Sequence, residues 1–170
     1  VSWNKLYNIK LFRDIQFPFG KIHEDEFTTY QLYYNSSKVV TTSQVLYYYR
    51  YVSTSIMNQT FSIKRLDRLE ALKGRLEFFK EHNEKHLYNY TLIEYESELI
   101  YYYTNYKKYL KEFQKIYNEL LENYQKNYNQ VIQLSECNMK DKIKFTIARI
   151  SPQLYYYITK IMRKVKNEKN

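Results

Sequence analysis

A fold of the α+β class, mostly α, is predicted by three features of this 170-residue chain. Glycine and proline occur only twice each, too rarely for the tight turns of an all-β protein. Beyond about residue 60, apolar side chains recur at steps of three and four almost to the end, the period of a helix with one buried face. Short β-favouring runs occur only before that point. The 22 Tyr and 9 Phe supply large side chains for a core, and the length suits a folded domain, not a disordered chain.

The change of pattern places a boundary near Asn58, between a mixed segment, 1–58, and a helical one, 59–170. In the mixed segment, residues 3–12 carry Leu6, Ile9 and Phe12 on related faces and read as a short helix. Residues 15–18 are extended, because the residue before Pro18 is pushed out of the α region. Phe27, Tyr30 and Tyr34 have helical spacing, so 25–34 is a helix with acids in its first turn. Two strands are expected at 38–40 and 44–50, the second rich in Tyr.

In the helical segment, Ile63, Leu66, Leu69, Leu72, Leu76 and Phe79 form a strong stripe that ends near Glu81-His82-Asn83. From Leu87 to about Gln133, stripes of Tyr and Leu continue as one long helix or two. Two more helices, 138–150 and 152–166, are separated by Ser151-Pro152, a serine cap followed by proline at the first helical position.

The net charge of +9 is concentrated at one end. From Lys140 onward there are nine Lys or Arg against Asp141 and Glu168, a net +7 that leaves +2 for the first 139 residues. No run approaches the roughly 18 apolar residues that span a bilayer. The lone Cys137 has no internal partner for a disulfide, which suits a reducing cytoplasmic setting. The chain opens on Val1-Ser2-Trp3-Asn4 with no initiator Met and enters dense apolar patterning at once, as expected of a piece of a longer protein.

The stretch His23-Glu24-Asp25-Glu26 admits two readings. Acids in a first helical turn are favoured by the macrodipole by about 0.3 to 1 kcal/mol each, and Asp25 with Thr28 has the spacing of an N-terminal cap. Alternatively, one acid takes a proton from a substrate. Side chains about 100° apart around a helix cannot all reach one substrate, so a single residue would do this work.

The surroundings bear on the choice. Trp3-Asn4-Lys5-Leu6-Tyr7, Leu11-Phe12, Ile15-x-Phe17-Pro18 and Gly20-Lys21-Ile22-His23-Glu24-Asp25-Glu26 come in that order. Leu46-Tyr47-Tyr48-Tyr49-Arg50 and Ser55-Ile56-Met57 follow. This series resembles the C-terminal part of the catalytic domain of bacterial family-two glycosyltransferases with the Rossmann-like GT-A fold, of the kind that build capsular and other surface polysaccharides. The resemblance covers 1–58 closely and the rest loosely, including Ile150-Ser151-Pro152-x-Leu154-Tyr155.

The resemblance implies inverting transfer of a sugar from a nucleotide-sugar to a hydroxyl of a glycan or lipid-linked acceptor. It makes Asp25 the base, with Glu24 and His23 at the acceptor. A carboxylate is ionised at neutral pH and can accept the hydroxyl proton as the new bond forms. Arg50 and Ser55 fall where the family closes over the donor's diphosphate, and Lys5 reaches phosphate or acceptor. The family pattern often has a second basic residue two positions after that Arg; here Val52 stands there.

The same resemblance implies a divalent cation, Mg or Mn, held by Asp-x-Asp in a preceding nucleotide-binding half. The four aspartates here, at 14, 25, 67 and 141, do not form that motif, so no metal site is expected in these residues and the chain alone is expected to be inactive. His82 and His86 stand at i and i+4 but no third ligand is suggested.

In the last helix Leu154, Tyr155, Ile158, Ile161, Met162 and Val165 share a face bordered by Lys160, Arg163, Lys164 and Lys166. Such a helix either packs on the core with a solvated basic rim or lies on an anionic membrane. Peripheral attachment at the inner face of the cell membrane suits a lipid-linked acceptor, and a homo-oligomer through the helical segment is another use of these faces. Tyr at core spacing and an acidic segment in the 20s argue against a nucleic-acid partner. The remaining alternative is a non-catalytic helical interaction or membrane-binding module.

Overall fold

The structure, a computed structural model, describes residues 2–50, 62–110 and 113–167. Its regular elements are helices, and no strand occurs among the described residues. The α-helices are α1 (Glu24–Tyr34), α2 (Asp67–Glu81), α3 (Lys85–Asn105), α4 (Lys107–Leu110), α5 (Gln114–Gln133), α6 (Met139–Ile150) and α7 (Pro152–Asn167). The chain divides into two compact units, Val1–Arg75 and Leu76–Asn170, the division falling inside α2. The boundary expected near Asn58 falls in 51–61, outside the described residues.

In the first unit, the helix expected over 3–12 shrinks to a single 3-10 turn, Ile9–Phe12. The Asn8 side chain caps it by accepting from the Lys10 N–H at 3.0 Å. Leu6 and Ile9 are exposed, so no packing rewards a short helix that is marginal in water by itself. Residues 15–18 are irregular, and Ile15 is buried. The inward stripe of α1 is Thr28 and Leu32, one turn apart. The aromatic series Phe27, Tyr30 and Tyr34 lies at its flanks, half-buried or exposed. The Thr28 hydroxyl donates to the Gln16 carbonyl at 3.4 Å, fixing α1 to this irregular segment.

The two strands expected at 38–40 and 44–50 are absent. The alternation behind that expectation is real: Tyr47 and Tyr49 both stack on Trp3, with ring centroids 4.4 and 5.3 Å away, while Tyr48 between them is 92% exposed. What is missing is a neighbour for the backbone, since a strand is defined by its ladder partner.

Ser62 caps the 3-10 turn Ile63–Leu66 that leads into α2. The latter buries Leu69, Ala71, Leu72 and Phe79. It ends at Asn83, whose positive φ of 58° places it in the left-handed region. The Glu84 N–H bonds back to Phe79 O at 2.8 Å and the Asn83 N–H to Lys80 O at 3.2 Å, the paired closure of a left-handed helix end.

In the second unit, α3 packs chiefly on α5 and also on α7, and α6 packs on α5 and α7. The stretch from Leu87 to Gln133 is therefore two long helices, α3 and α5, with the one-turn α4 between them. Leu120, Tyr124, Tyr128 and Val131 give α5 one continuous inward stripe. Tyr124 Oη donates to Phe145 O, and Tyr128 Oη pairs with Thr146 Oγ1 at 3.0 Å, so tyrosine hydroxyls tie α5 to α6. Asn138 caps α6 by accepting from the Asp141 N–H, and Ser151 caps α7 by accepting from the Leu154 N–H at 3.2 Å.

Candidate functional site

The acidic stretch forms the first turn of α1, but no side chain caps it. Its N-cap is His23, held at φ 58° and ψ 39°. This corrects the expectation of a cap at Asp25, which lies inside the helix, while the Thr28 hydroxyl turns to Gln16. A left-handed histidine is uncommon, and it turns the chain sharply from the Gly20 loop into α1.

Contacts with α2 brace this corner from both sides. Lys21 Nζ donates to Glu70 Oε2 at 2.5 Å and to Asp67 Oδ1 at 3.4 Å. The Ile22 N–H donates to Asp67 Oδ2 at 3.1 Å. On the other side, the Arg75 guanidinium donates to the Glu26 carboxylate and to Glu26 O, and Arg68 lies 3.8 Å from Glu26 Oε1. Arg75 also stacks over Tyr30, 5.4 Å from the ring centre. Arg68, Leu72 and Arg75 share one face of α2 at steps of four and three.

Glu26 is engaged by two arginines of α2, and it, Glu24 and Asp25 are all half-buried on the one turn. His23 is half-buried too, and burial, seconded by the Arg68 charge, lowers its pKa below the ordinary histidine value. It is a neutral imidazole at pH 7. The corner thus presents two carboxylates and a neutral hydrogen-bonding ring on a braced frame, chemistry that suits orienting a hydroxyl and accepting its proton.

Sequence reasoning missed Arg68, Arg75 and Asp67. The signal available was their placement around Leu69 and Leu72, but nothing local links α2 to residues more than forty positions earlier. The proposed donor residues lie apart from this turn in the chain. Lys5 is half-buried and donates to Asn4 Oδ1 at 2.7 Å. Arg50 is exposed at the end of the Tyr47–Tyr49 stretch, and Ser55 falls outside the described residues.

Elsewhere, His82 stacks on Phe78 with ring centres 4.0 Å apart and its Nδ1 lies 2.8 Å from Phe78 O. His86 Nδ1 pairs with Glu136 Oε1 at 2.7 Å. The Asn89 amide, foremost, together with backbone and His86 contacts, lowers the Glu136 pKa to about 2. No group of three His, Cys, Asp or Glu able to hold a metal ion occurs among the described residues. Cys137 is buried and burial raises its thiol pKa, the opposite of an activated nucleophile. No helix among the described residues is long and apolar enough to cross a membrane. The face of α7 is divided: Tyr155 is buried, while Leu154, Tyr157, Ile161 and Met162 are exposed.

Fold and corner together define a mostly helical chain that presents a braced carboxylate turn. Over 49 residues, 29% of its length, this chain is 39% identical to the glycosyltransferase GlyA of Streptococcus pneumoniae serotype 4 (strain ATCC BAA-334 / TIGR4). The match spans 7% of that protein's length. A short region of the chain is thus glycosyltransferase-like. No protein-family model matches the chain, and no solved structure matches it.

Proposed function

We propose that this chain is the acceptor-side part of an inverting glycosyltransferase, with Asp25 as general base. The observation that carries this reading is the bracing of the acidic turn by α2. Glu26 is tied to Arg68 and Arg75 of α2, which holds the turn that also carries Glu24 and Asp25. The local similarity to a glycosyltransferase supports the same reaction class.

In this mechanism the acceptor hydroxyl lies against Asp25 and gives up its proton as its oxygen attacks the anomeric carbon. The nucleoside diphosphate departs from the opposite face, so the anomeric configuration inverts. Neutral His23 and Glu24 orient the acceptor hydroxyls. Braced positioning matters because a base contributes roughly a hundredfold to ten-thousandfold only when it is within hydrogen-bond reach of the proton. Arg50, Ser55 and Lys5 take the diphosphate side. The described residues do not fit a divalent cation, and no step is assigned to one.

The exposed apolar side chains of α7, with Lys160 and Arg149 nearby in the chain, suit peripheral contact with an anionic bilayer. This fits a lipid-linked acceptor. The test of the catalytic reading is to incubate the protein as encoded with a panel of nucleotide-sugars and glycan or lipid-linked acceptors, and to determine the anomeric configuration of the product. Transfer with inversion is expected. Transfer with retention, or no turnover with any pair, would overturn the reading.

A further inference from the structure

The second unit holds a cavity of about 440 Å³ where the end of α3 meets the start of α7. Its volume lies within the range of about 300 to 1,000 Å³ common to small-molecule sites. The lining that matters is Tyr103, Asn105 and Lys107 from one wall and Gln153, Tyr156 and Tyr157 from the other. No carboxylate is among the lining residues.

Two features make this a built site. The Tyr156 and Tyr157 rings meet nearly edge to face, with centroids 5.6 Å apart and planes at 68°, and form an aromatic corner. The Asn105 amide is held in place, its Nδ2 donating to Tyr101 O at 3.0 Å and to Thr104 Oγ1 at 3.2 Å. Thr104 is pinned in turn by donating to Ile100 O at 2.6 Å. Tyr103 is buried and stacked on Tyr117, centroids 4.4 Å apart, which fixes the floor of that wall. A lining wall held in this way costs little to organise when a ligand arrives.

We propose that this cavity binds a saccharide unit. A pyranose has an apolar C–H face and a rim of hydroxyls that both donate and accept. The Tyr156–Tyr157 corner matches the first, and the amide of Gln153, which offers both donors and acceptors, matches the second. Lys107 adds donors only. An anion would be served by several cations, and this lining has one. The choice of a sugar over other neutral polar ligands rests on the glycosyltransferase reading, which supplies a glycan for the helical unit to hold.

The experiment is a titration of the ¹⁵N-labelled 170-residue chain with glucose, galactose, N-acetylglucosamine and lactose, followed by amide chemical shifts. At least one sugar should move resonances of 103–107 and 152–157 together, with millimolar affinity. Tyr157→Ala and Gln153→Ala, both at exposed positions, should each weaken that binding by about fivefold or more, with unchanged circular dichroism. The proposal is overturned if none of the four sugars moves these resonances, if the shifts cluster elsewhere, or if both variants bind as wild type does. No donor or turnover enters this measurement. A negative result removes the cavity site and leaves the role of Asp25 standing, and failure of catalysis leaves a measured sugar affinity standing.

Discussion

Glu96 lies in the middle of α3 with no exposed surface, and neither carboxylate oxygen has a hydrogen-bond partner. Asn127 on α5 is near enough to favour the charged form but lies outside hydrogen-bonding geometry, so burial dominates and pushes the carboxyl up to about 9 from 4.5. Folded Glu96 is therefore protonated at neutral pH, while the unfolded chain ionises it above about 4.5. The folded state binds the extra proton. Its contribution to stability is complete below about pH 4.5 and is lost as pH rises toward about 9, at roughly 1.4 kcal/mol per pH unit. By pH 7 about 3 kcal/mol has gone. Gln is close in shape and neutral at every pH. Glu96→Gln should therefore stabilise the helical unit by about 3 kcal/mol at neutral pH and by less than about 1 kcal/mol near pH 5. Urea unfolding followed by far-UV circular dichroism at the two pH values measures this. A wild type equally stable at both, with a Gln variant no more stable than wild type at neutral pH, would refute the assignment of a buried neutral acid.

Three further outcomes follow from the same geometry. Arg75→Ala leaves the Glu26 carboxylate without its main partner and should destabilise the first unit by about 2 kcal/mol, seen as faster amide exchange in α1. Glu136 is the opposite of Glu96: its lowered pKa adds stability that is present above about 4.5 and lost as pH falls toward about 2. Glu136→Gln should flatten the acid limb of the stability profile while leaving neutral pH behaviour in Glu96→Gln unaffected. Replacing exposed Leu154 and Ile161 by Ser should weaken binding to anionic vesicles, and adding salt should weaken it further. Equal binding by wild type and variant would remove α7 from the membrane contact.

The helices were legible because their stripes are local. The series from Leu66 to Phe79 and the Ser151-Pro152 start contain their own period and punctuation, and α2 and α7 follow them. The face of α1 was not, because its most buried residues are Thr28 and Leu32, and a threonine whose hydroxyl is bonded to Gln16 does not look apolar in sequence. Residues 44–50 carry a strand's alternation without a strand's partner, so Tyr47 and Tyr49 stack on Trp3 while the predicted strand is absent. At the site, the carboxylates of 24–26 were visible at once. The bracing of Glu26 was not, since it depends on arginines 42 and 49 positions away that only the fold brings near. For α7, the sequence grouped Tyr155 with Leu154 and Ile161; packing on α3 and α6 takes Tyr155 inward and leaves the other two outside.

The most direct test of the account compares Asp25→Asn with Glu24→Gln in the protein as encoded, measuring both sugar transfer and donor affinity. If Asp25 takes the acceptor proton, Asp25→Asn lowers turnover by about a hundredfold or more with donor affinity unchanged, while Glu24→Gln chiefly raises the acceptor KM. Turnover by Asp25→Asn within a few-fold of wild type would contradict the account.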